Sequence, residues 1–163
     1  MKLSDKITKG FNKQINAEFY AAYLYLSASA YFESVNLKGF AGWMRKQSQE
    51  ELTHAMKFYN HLVERDGRVA LTSLPAPPTT WKNPLEAAKA AYEHEQKVTK
   101  MIHELVKMSE SVDDYAANNL LQWFVDEQVE EEEQTRNMVR QLEMIKGSSN
   151  GLMMLDAQLG KRE

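Results

Sequence analysis

The chain contains no cysteine. Disulfides, thiolate-bound zinc and iron–sulfur clusters are therefore excluded together, and any metal is left with oxygen and imidazole ligands. Helix breakers are scarce: there are seven glycines and four prolines, and three of the prolines fall in Pro75-Ala76-Pro77-Pro78, so long stretches can stay helical. No window approaches the roughly 20 apolar residues of a membrane span. Met1-Lys2-Leu3-Ser4-Asp5-Lys6 has no apolar stretch behind its charges, so neither a leader nor a membrane partner is expected and the expected location is cytoplasmic. Strong charge of one sign is missing too. The net charge is −3 and the basic residues are scattered, which argues against a nucleic-acid partner. What remains is 163 residues, 43% hydrophobic and 26% charged, a globular composition with chain enough for a single domain, 1–163, and a substantial core.

The few breakers mark the joints of an all-α chain. Ser4 can open a first helix running to about Ser34, and Val35-Asn36-Leu37 joins it to a second that ends near Gly67. Asn83-Pro84-Leu85-Glu86 combines an N-cap, a first-turn proline and a capping-box carboxylate, and opens a third helix to about Glu110. Ser111-Val112-Asp113-Asp114 opens a fourth, running to Gly147, and the segment around Leu152-Met153-Met154-Leu155 predicts a short fifth helix over 148–159. The stretch from Arg68 to Asn83 is the topological clue. Sixteen extended residues reach roughly 50 Å, and a helix of about 28 residues is roughly 42 Å long. The stretch can therefore cross the whole bundle. The fold class expected is a four-helix bundle over about 4–146 with one long crossover between helices 2 and 3, plus the short C-terminal helix.

Each helix carries an apolar seam, and each seam is interrupted by polar residues. The first reads Phe11, Glu18, Tyr25 and Phe32, with Ile15, Ala22 and Ser29 beside them; the second reads Phe40, Met44, Gln47, Glu51, His54 and Phe58. The third gives Ala91, Glu95, Val98, Ile102 and Leu105. The fourth runs through Ala117, Leu121, Phe124, Gln128, Glu131, Thr135, Met138, Leu142 and Ile145. The two halves are spaced alike: Glu18 precedes Glu51 by 33 residues as Glu95 precedes Gln128, and each second helix adds a polar group three residues on, His54 or Glu131. Packed about a pseudo-two-fold axis, all six groups reach one level.

Exposed charge on solvated faces would explain any one of these glutamates, but four helices agree in phase. A metal-free hydrogen-bond network is the other bland reading, and it leaves four carboxylates with no lysine or arginine in the seam to balance them. Burying such charge unpaired costs several kcal/mol per ion. A pair of divalent cations supplies the missing charge, with Glu51 able to bridge them. Carboxylates with one imidazole suit iron or manganese better than copper or structural zinc.

These residues, over essentially the whole chain including the crossover and terminal helix, resemble the bacterial-type non-haem ferritins, whose bundle carries Glu and Glu-x-x-His ligands. The resemblance implies a first iron site of Glu18, Glu51 and His54 and a second of Glu51, Glu95 and Glu131 with Gln128 beside it. It implies that Tyr25 stands near the first iron as an electron or hydrogen-bond donor, and that Glu50, Glu127 and Glu130 form a third, outer site. Trp123 is a redox-active neighbour or, more simply, core; His61, His94 and His103 have no paired spacing. Gln128 and Glu131 replace the second Glu-x-x-His of haem-containing bacterioferritins, and Leu52 stands where those proteins have their haem methionine, so haem is not expected. A cysteine-free chain also lacks the iron domain of rubrerythrins, and the intrasubunit ligand set differs from that of the small DNA-protecting relatives. The implied function is ferroxidase and iron storage: Fe²⁺ oxidised by O₂ or H₂O₂ and ferric mineral kept inside a homo-oligomeric shell of 24 subunits. The rival readings are a dinuclear oxidase that stores nothing and a metal-free structural bundle.

Overall fold

A computed structural model describes residues 3–162; Met1, Lys2 and Glu163, which the single-domain reading includes, lie outside the described residues. Five helices follow in order: α1 Asp5–Ser34, α2 Lys38–Glu64, α3 Pro84–Glu110, α4 Tyr115–Ile145 and α5 Ser149–Leu159. No strand occurs among the described residues. Helix starts are set by short polar side chains that accept from otherwise unpaired first-turn amides. Ser4 Oγ accepts from Ile7 N at 3.2 Å, Asn83 Oδ1 from Glu86 N at 2.9 Å, Asp114 Oδ1 from Ala117 N at 3.0 Å and Ser148 Oγ from Gly151 N at 3.3 Å. Only α2, whose N-cap is Leu37, has no cap of its own. Asp156 of α5 replaces it, its Oδ1 accepting from Phe40 N at 2.9 Å.

Three helices stop by placing Asn or Asp, rather than glycine, in the left-handed region. Asn36, Asp66 and Asp113 have φ of 61°, 57° and 51°. The next amide in each case reaches back to a carbonyl of the last turn: Leu37 N to Phe32 O, Gly67 N to Leu62 O and Asp114 N to Ser109 O, at 2.9, 2.7 and 2.9 Å. Short polar side chains tolerate this conformation best after glycine. Two sequence-based boundaries shift as a result. The second helix ends at Glu64 rather than near Gly67, because Asp66 makes the turn. The fourth opens at Tyr115 with Asp114 as cap, because Ser111 caps α3 and Asp113 turns the chain. Gly67 serves packing instead: a Cβ there would lie 2.6 Å from Leu3 Cδ1.

The crossover runs along α1. Near its start Asn12 donates to Arg68 O at 2.9 Å and accepts from Ala70 N at 2.7 Å. Further on Ser27 Oγ donates to Pro78 O at 2.6 Å, and the rings of Tyr31 and Trp81 stand 5.4 Å apart. Asn12 to Tyr31 is about 28 Å of helix, so the strap carries the chain from one end of the bundle to the other. Helices α2 and α3 are therefore parallel, while α1–α2 and α3–α4 are antiparallel pairs.

Two apolar clusters fill the interior. One, at the α5 end, holds Tyr25, Phe32, Phe40, Met44, Met138 and Leu155 among others. The other, at the opposite end, holds Ile7, Phe11, Phe58, Ile102, Leu121 and Phe124 among others. Every seam residue is buried except Ile145, which is half-buried. No helix among the described residues is long and apolar enough to cross a membrane.

Candidate metal centre

Between the two clusters lies a polar layer. Glu18 comes from α1, Glu51 and His54 from α2, Glu95 from α3, and Gln128 and Glu131 from α4, and none is more than 3% exposed. Heptad spacing puts each of them on the inward face of its helix, at the same height as its counterparts. Ligand atoms of Glu18, Glu51 and His54 lie within 4.8 Å of one another. A second group, His54, Glu127 and Glu131, meets the same limit. No ion pair with lysine or arginine involves any of the four buried glutamates among the described residues.

Amides and hydroxyls, not cations, fill the remaining positions. Gln14 Nε2 donates to Glu18 Oε1 at 2.7 Å, and Glu18 Oε2 is buried with no hydrogen-bond partner among the described residues. Gln47 Nε2 donates to Glu131 Oε2 at 2.5 Å and faces Glu51 Oε1 at 3.5 Å. The Tyr25 hydroxyl donates to Glu95 Oε1. Gln128 Nε2 lies 3.3 Å from both the side-chain Oε2 and the backbone carbonyl of Glu95, and 3.3 Å from the Thr99 hydroxyl, which in turn donates to Glu132 at 2.6 Å. His54 stands between two carboxylates, with Nδ1 3.1 Å from Glu51 Oε2 and Nε2 3.5 Å from Glu127 Oε1. A ring nitrogen bound to a metal is oriented by a carboxylate at the other nitrogen, and Glu127 is placed to do this.

Electrostatics follow from burial. Desolvation raises the carboxyls of Glu18, Glu51 and Glu95 above the usual range, with the charge of Glu51 adding for Glu18 and the charges of Glu95 and Glu131 adding for Glu51. Glu131 is pushed up to about 8 by burial and by Glu95. Burial, with Glu95 next, also raises the phenol of Tyr25, which keeps its proton and donates it. Without a cation such a layer holds protons; with one, cation replaces proton.

The residues of the expected outer site are arranged differently from one another. Glu50 pairs with Arg162 at 2.6 Å, Glu127 faces His54, and the exposed Glu130 accepts from Gln134 at 2.9 Å. These three do not form one cluster of ligand atoms among the described residues. Trp123, 37% exposed, stands edge-on to His54 at 5.5 Å with Lys57 Nζ 4.0 Å from its ring centroid. His94 packs against Tyr20 and Tyr25, and burial lowers it to about 4; His61 pairs with Arg65, and His103 is exposed. Leu52 lies on the exposed face of α2. Four residues at the centre escape a reading by spacing: Gln14, Gln47 as a donor, Thr99 and Arg162. Gln14 and Gln47 do carry a faint signal, each standing one helical turn before a buried glutamate.

The fold and the site define a class: a four-helix bundle with one crossover, built around a buried, carboxylate-rich centre to which all four helices contribute. A family model for the ferritin-like domain matches residues 8–145. Bacterial non-heme ferritins of Bacteroides fragilis and Staphylococcus aureus are 38% and 33% identical over 160 residues, 98% of this chain and 99% and 96% of theirs. An open pore ferritin from the hyperthermophilic archaeon Archaeoglobus fulgidus superposes with a TM-score of 0.98 at 49% identity, covering 99% of this chain and 100% of that one. An engineered closed form of the same ferritin gives a TM-score of 0.98 at 49% identity. The chain belongs to the ferritin family.

Proposed function

We propose that the protein stores iron, and that it does so by oxidising Fe²⁺ at the buried centre and passing Fe³⁺ into a mineral inside a hollow homo-oligomeric shell of 24 chains in the cytoplasm. The observation that carries this reading is the polar layer: four glutamates and one histidine, nearly solvent-free between two apolar clusters, with no lysine or arginine paired to the glutamates among the described residues. Family membership supports the storage role, and the relatives named as non-heme ferritins support the absence of haem.

In this reading Glu18, Glu51 and His54 take the first Fe²⁺, and Glu51, Glu95 and Glu131 take the second, with Gln128 at its edge. Each ion gives up one electron. O₂ accepts the two electrons and two protons to give H₂O₂, or H₂O₂ accepts two electrons and two protons to give two waters. Anionic oxygen ligands favour Fe³⁺ over Fe²⁺, which lowers the barrier to electron donation. Tyr25 steadies Glu95 through its hydroxyl and stands ready to supply a further electron. Glu50, Glu127 and Glu130 would in this reading take ferric iron on from the centre toward the store. Gln128 contributes no charge where an acid would hold iron firmly, which suits a position from which iron moves on.

The test is size-exclusion chromatography of the purified protein before and after aerobic Fe²⁺ loading. The expected result is a particle of about 450 kDa, 24 chains of 18.8 kDa, that retains far more iron than its dinuclear sites can bind. A monomer or dimer that oxidises iron and releases it would contradict storage.

A further inference from the structure

We propose that Arg162 is a positioning residue that holds Glu50 away from an outer cation and fixes the amide of Gln47, and that docking of α5 puts it there. The proposal rests on the dinuclear reading above and adds a device that controls how many cations the centre accepts.

Arg162 makes three contacts at once. Its Nη1 donates to Gln47 Oε1 at 2.9 Å, its Nη2 donates to Glu50 Oε2 at 2.6 Å, and its guanidinium carbon lies 4.6 Å from the ring centroid of Trp43. A planar fork bonded twice and stacked once is held in one orientation. An N–H can only donate, so the Gln47 atom facing Arg162 is its oxygen. The NH₂ of the same amide is thereby turned inward, to Glu131 at 2.5 Å and Glu51 at 3.5 Å. Gln47 has no exposed surface. It thus couples the half-exposed Glu50 to two of the buried carboxylates.

The approach of Arg162 depends on α5. Asp156 caps the first turn of α2 through Phe40 N, and the helices meet so closely that a Cβ on Gly39 would lie 1.7 Å from the Asp156 carbonyl oxygen. The helix ends at Leu159 with Gly160 as its C-cap, where a Cβ would lie 3.3 Å from Gly39 Cα, and two residues after the cap the chain presents Arg162. With α5 docked, a cation that uses Glu50 must first displace the guanidinium. With α5 released, Glu50 is free and the Gln47 amide can rotate, turning its carbonyl oxygen toward the cation-bearing carboxylates.

Zn²⁺ is a redox-inert probe of this, titrated calorimetrically into the assembled full chain in a background carrying Trp81→Phe and Trp123→Phe, so that emission reports Trp43. The parent is expected to bind two ions tightly and a third weakly, with a change in Trp43 emission as the guanidinium leaves the ring. Arg162→Gln should bind the third ion about tenfold more tightly, in the range by which removal of a supporting partner alters metal sites, with no emission change at that step. Gly39→Ala, which keeps Arg162 but crowds Asp156, should bind like Arg162→Gln. Circular dichroism and elution volume check the fold and assembly of both, and Arg162→Gln decides alone if Gly39→Ala does not assemble. An Arg162→Gln titration that matches the parent, with two tight ions in each, overturns this role and leaves the dinuclear reading standing. Failure of the parent to bind two ions overturns the dinuclear reading, and this role with it.

Discussion

Glu51 faces His54 through one carboxylate oxygen and Gln47 through the other, at the middle of a layer whose carboxyls are all raised by burial. Removing it together with its neighbour, as Glu51→Ala with His54→Ala, should slow Fe²⁺ oxidation in stopped-flow by more than about 100-fold, since loss of a supporting partner alone costs about 10–100-fold at metal sites. The metal-free double variant should keep its fold and assembly, read by circular dichroism and elution volume, because relief from burying polar groups offsets the cavity left behind. Oxidation at the parent rate would contradict the proposed ligands. Glu127→Gln should weaken the first cation position about tenfold through loss of His54 orientation, measured by Zn²⁺ calorimetry; unchanged affinity would mean that the 3.5 Å approach to His54 has no such role. The pH dependence has a definite sign. Glu131 keeps its proton up to about 8 in the folded chain, against an ordinary value of 4.5. Between those values the folded state binds more protons than the unfolded one, so the stability of the metal-free protein falls as pH rises through that window and is level below it. Thermal melts in chelator from pH 5 to 8 check this, and added Zn²⁺ should reverse the trend by replacing the proton. At this scale the sequence is informative where a charge interrupts an apolar heptad, as at Glu18 and Glu95. It is silent on Arg162, whose partners lie more than 100 residues away and whose position follows no period.

Helix boundaries show which local signals can be read in advance. Asn83-Pro84 and Ser4 act as the caps their residue types suggest, because an N-cap needs only its own side chain and the amides just ahead. Helix ends are harder, since Asn36, Asp66 and Asp113 turn the chain where glycine would be the usual choice. The capping of α2 by Asp156 is invisible to local reading, because it depends on α5, 116 residues further along the chain, docking beside the start of α2. Among the described residues Lys146 is the one left-handed residue with neither a short polar side chain nor a glycine's freedom, at φ 46°. Lys146→Gly should therefore raise stability by about 1 kcal/mol, read as a higher denaturant midpoint with unchanged slope. A lower midpoint would show that the lysine side chain contributes more than its backbone strain costs. Asp114 combines two tasks, capping α4 and pairing with Arg65 at 2.8 Å, where both side chains are largely buried. Asp114→Ala should destabilise by about 2–3 kcal/mol, from loss of the cap and from leaving a largely buried arginine with only the His61 ring as partner. A loss of under about 1 kcal/mol, the value of a cap alone, would show that the pair contributes nothing.

At the scale of the molecule, pseudo-symmetry explains why the centre could be found at all. Two helix pairs with the same 33-residue spacing are joined by a strap that makes them parallel copies, so polar residues in equivalent positions converge at one height. The same symmetry is broken chemically. The α1–α2 half supplies an imidazole and the α3–α4 half an amide, Gln128, held against Glu95. In the proposed reading, one position holds a cation and the other lets it pass. Assembly was not legible in spacing or composition; it enters through the family to which the chain belongs. The most direct test of the proposed dinuclear centre is an anomalous-difference map, recorded on either side of the iron absorption edge, from crystals of the assembled protein soaked briefly in Fe²⁺ without oxygen. The expected map has two peaks per chain about 3.5–4 Å apart, the stronger among Glu18, Glu51 and His54 and the weaker among Glu51, Glu95 and Glu131. Iron found only on the surface, with none among those five residues, would contradict it.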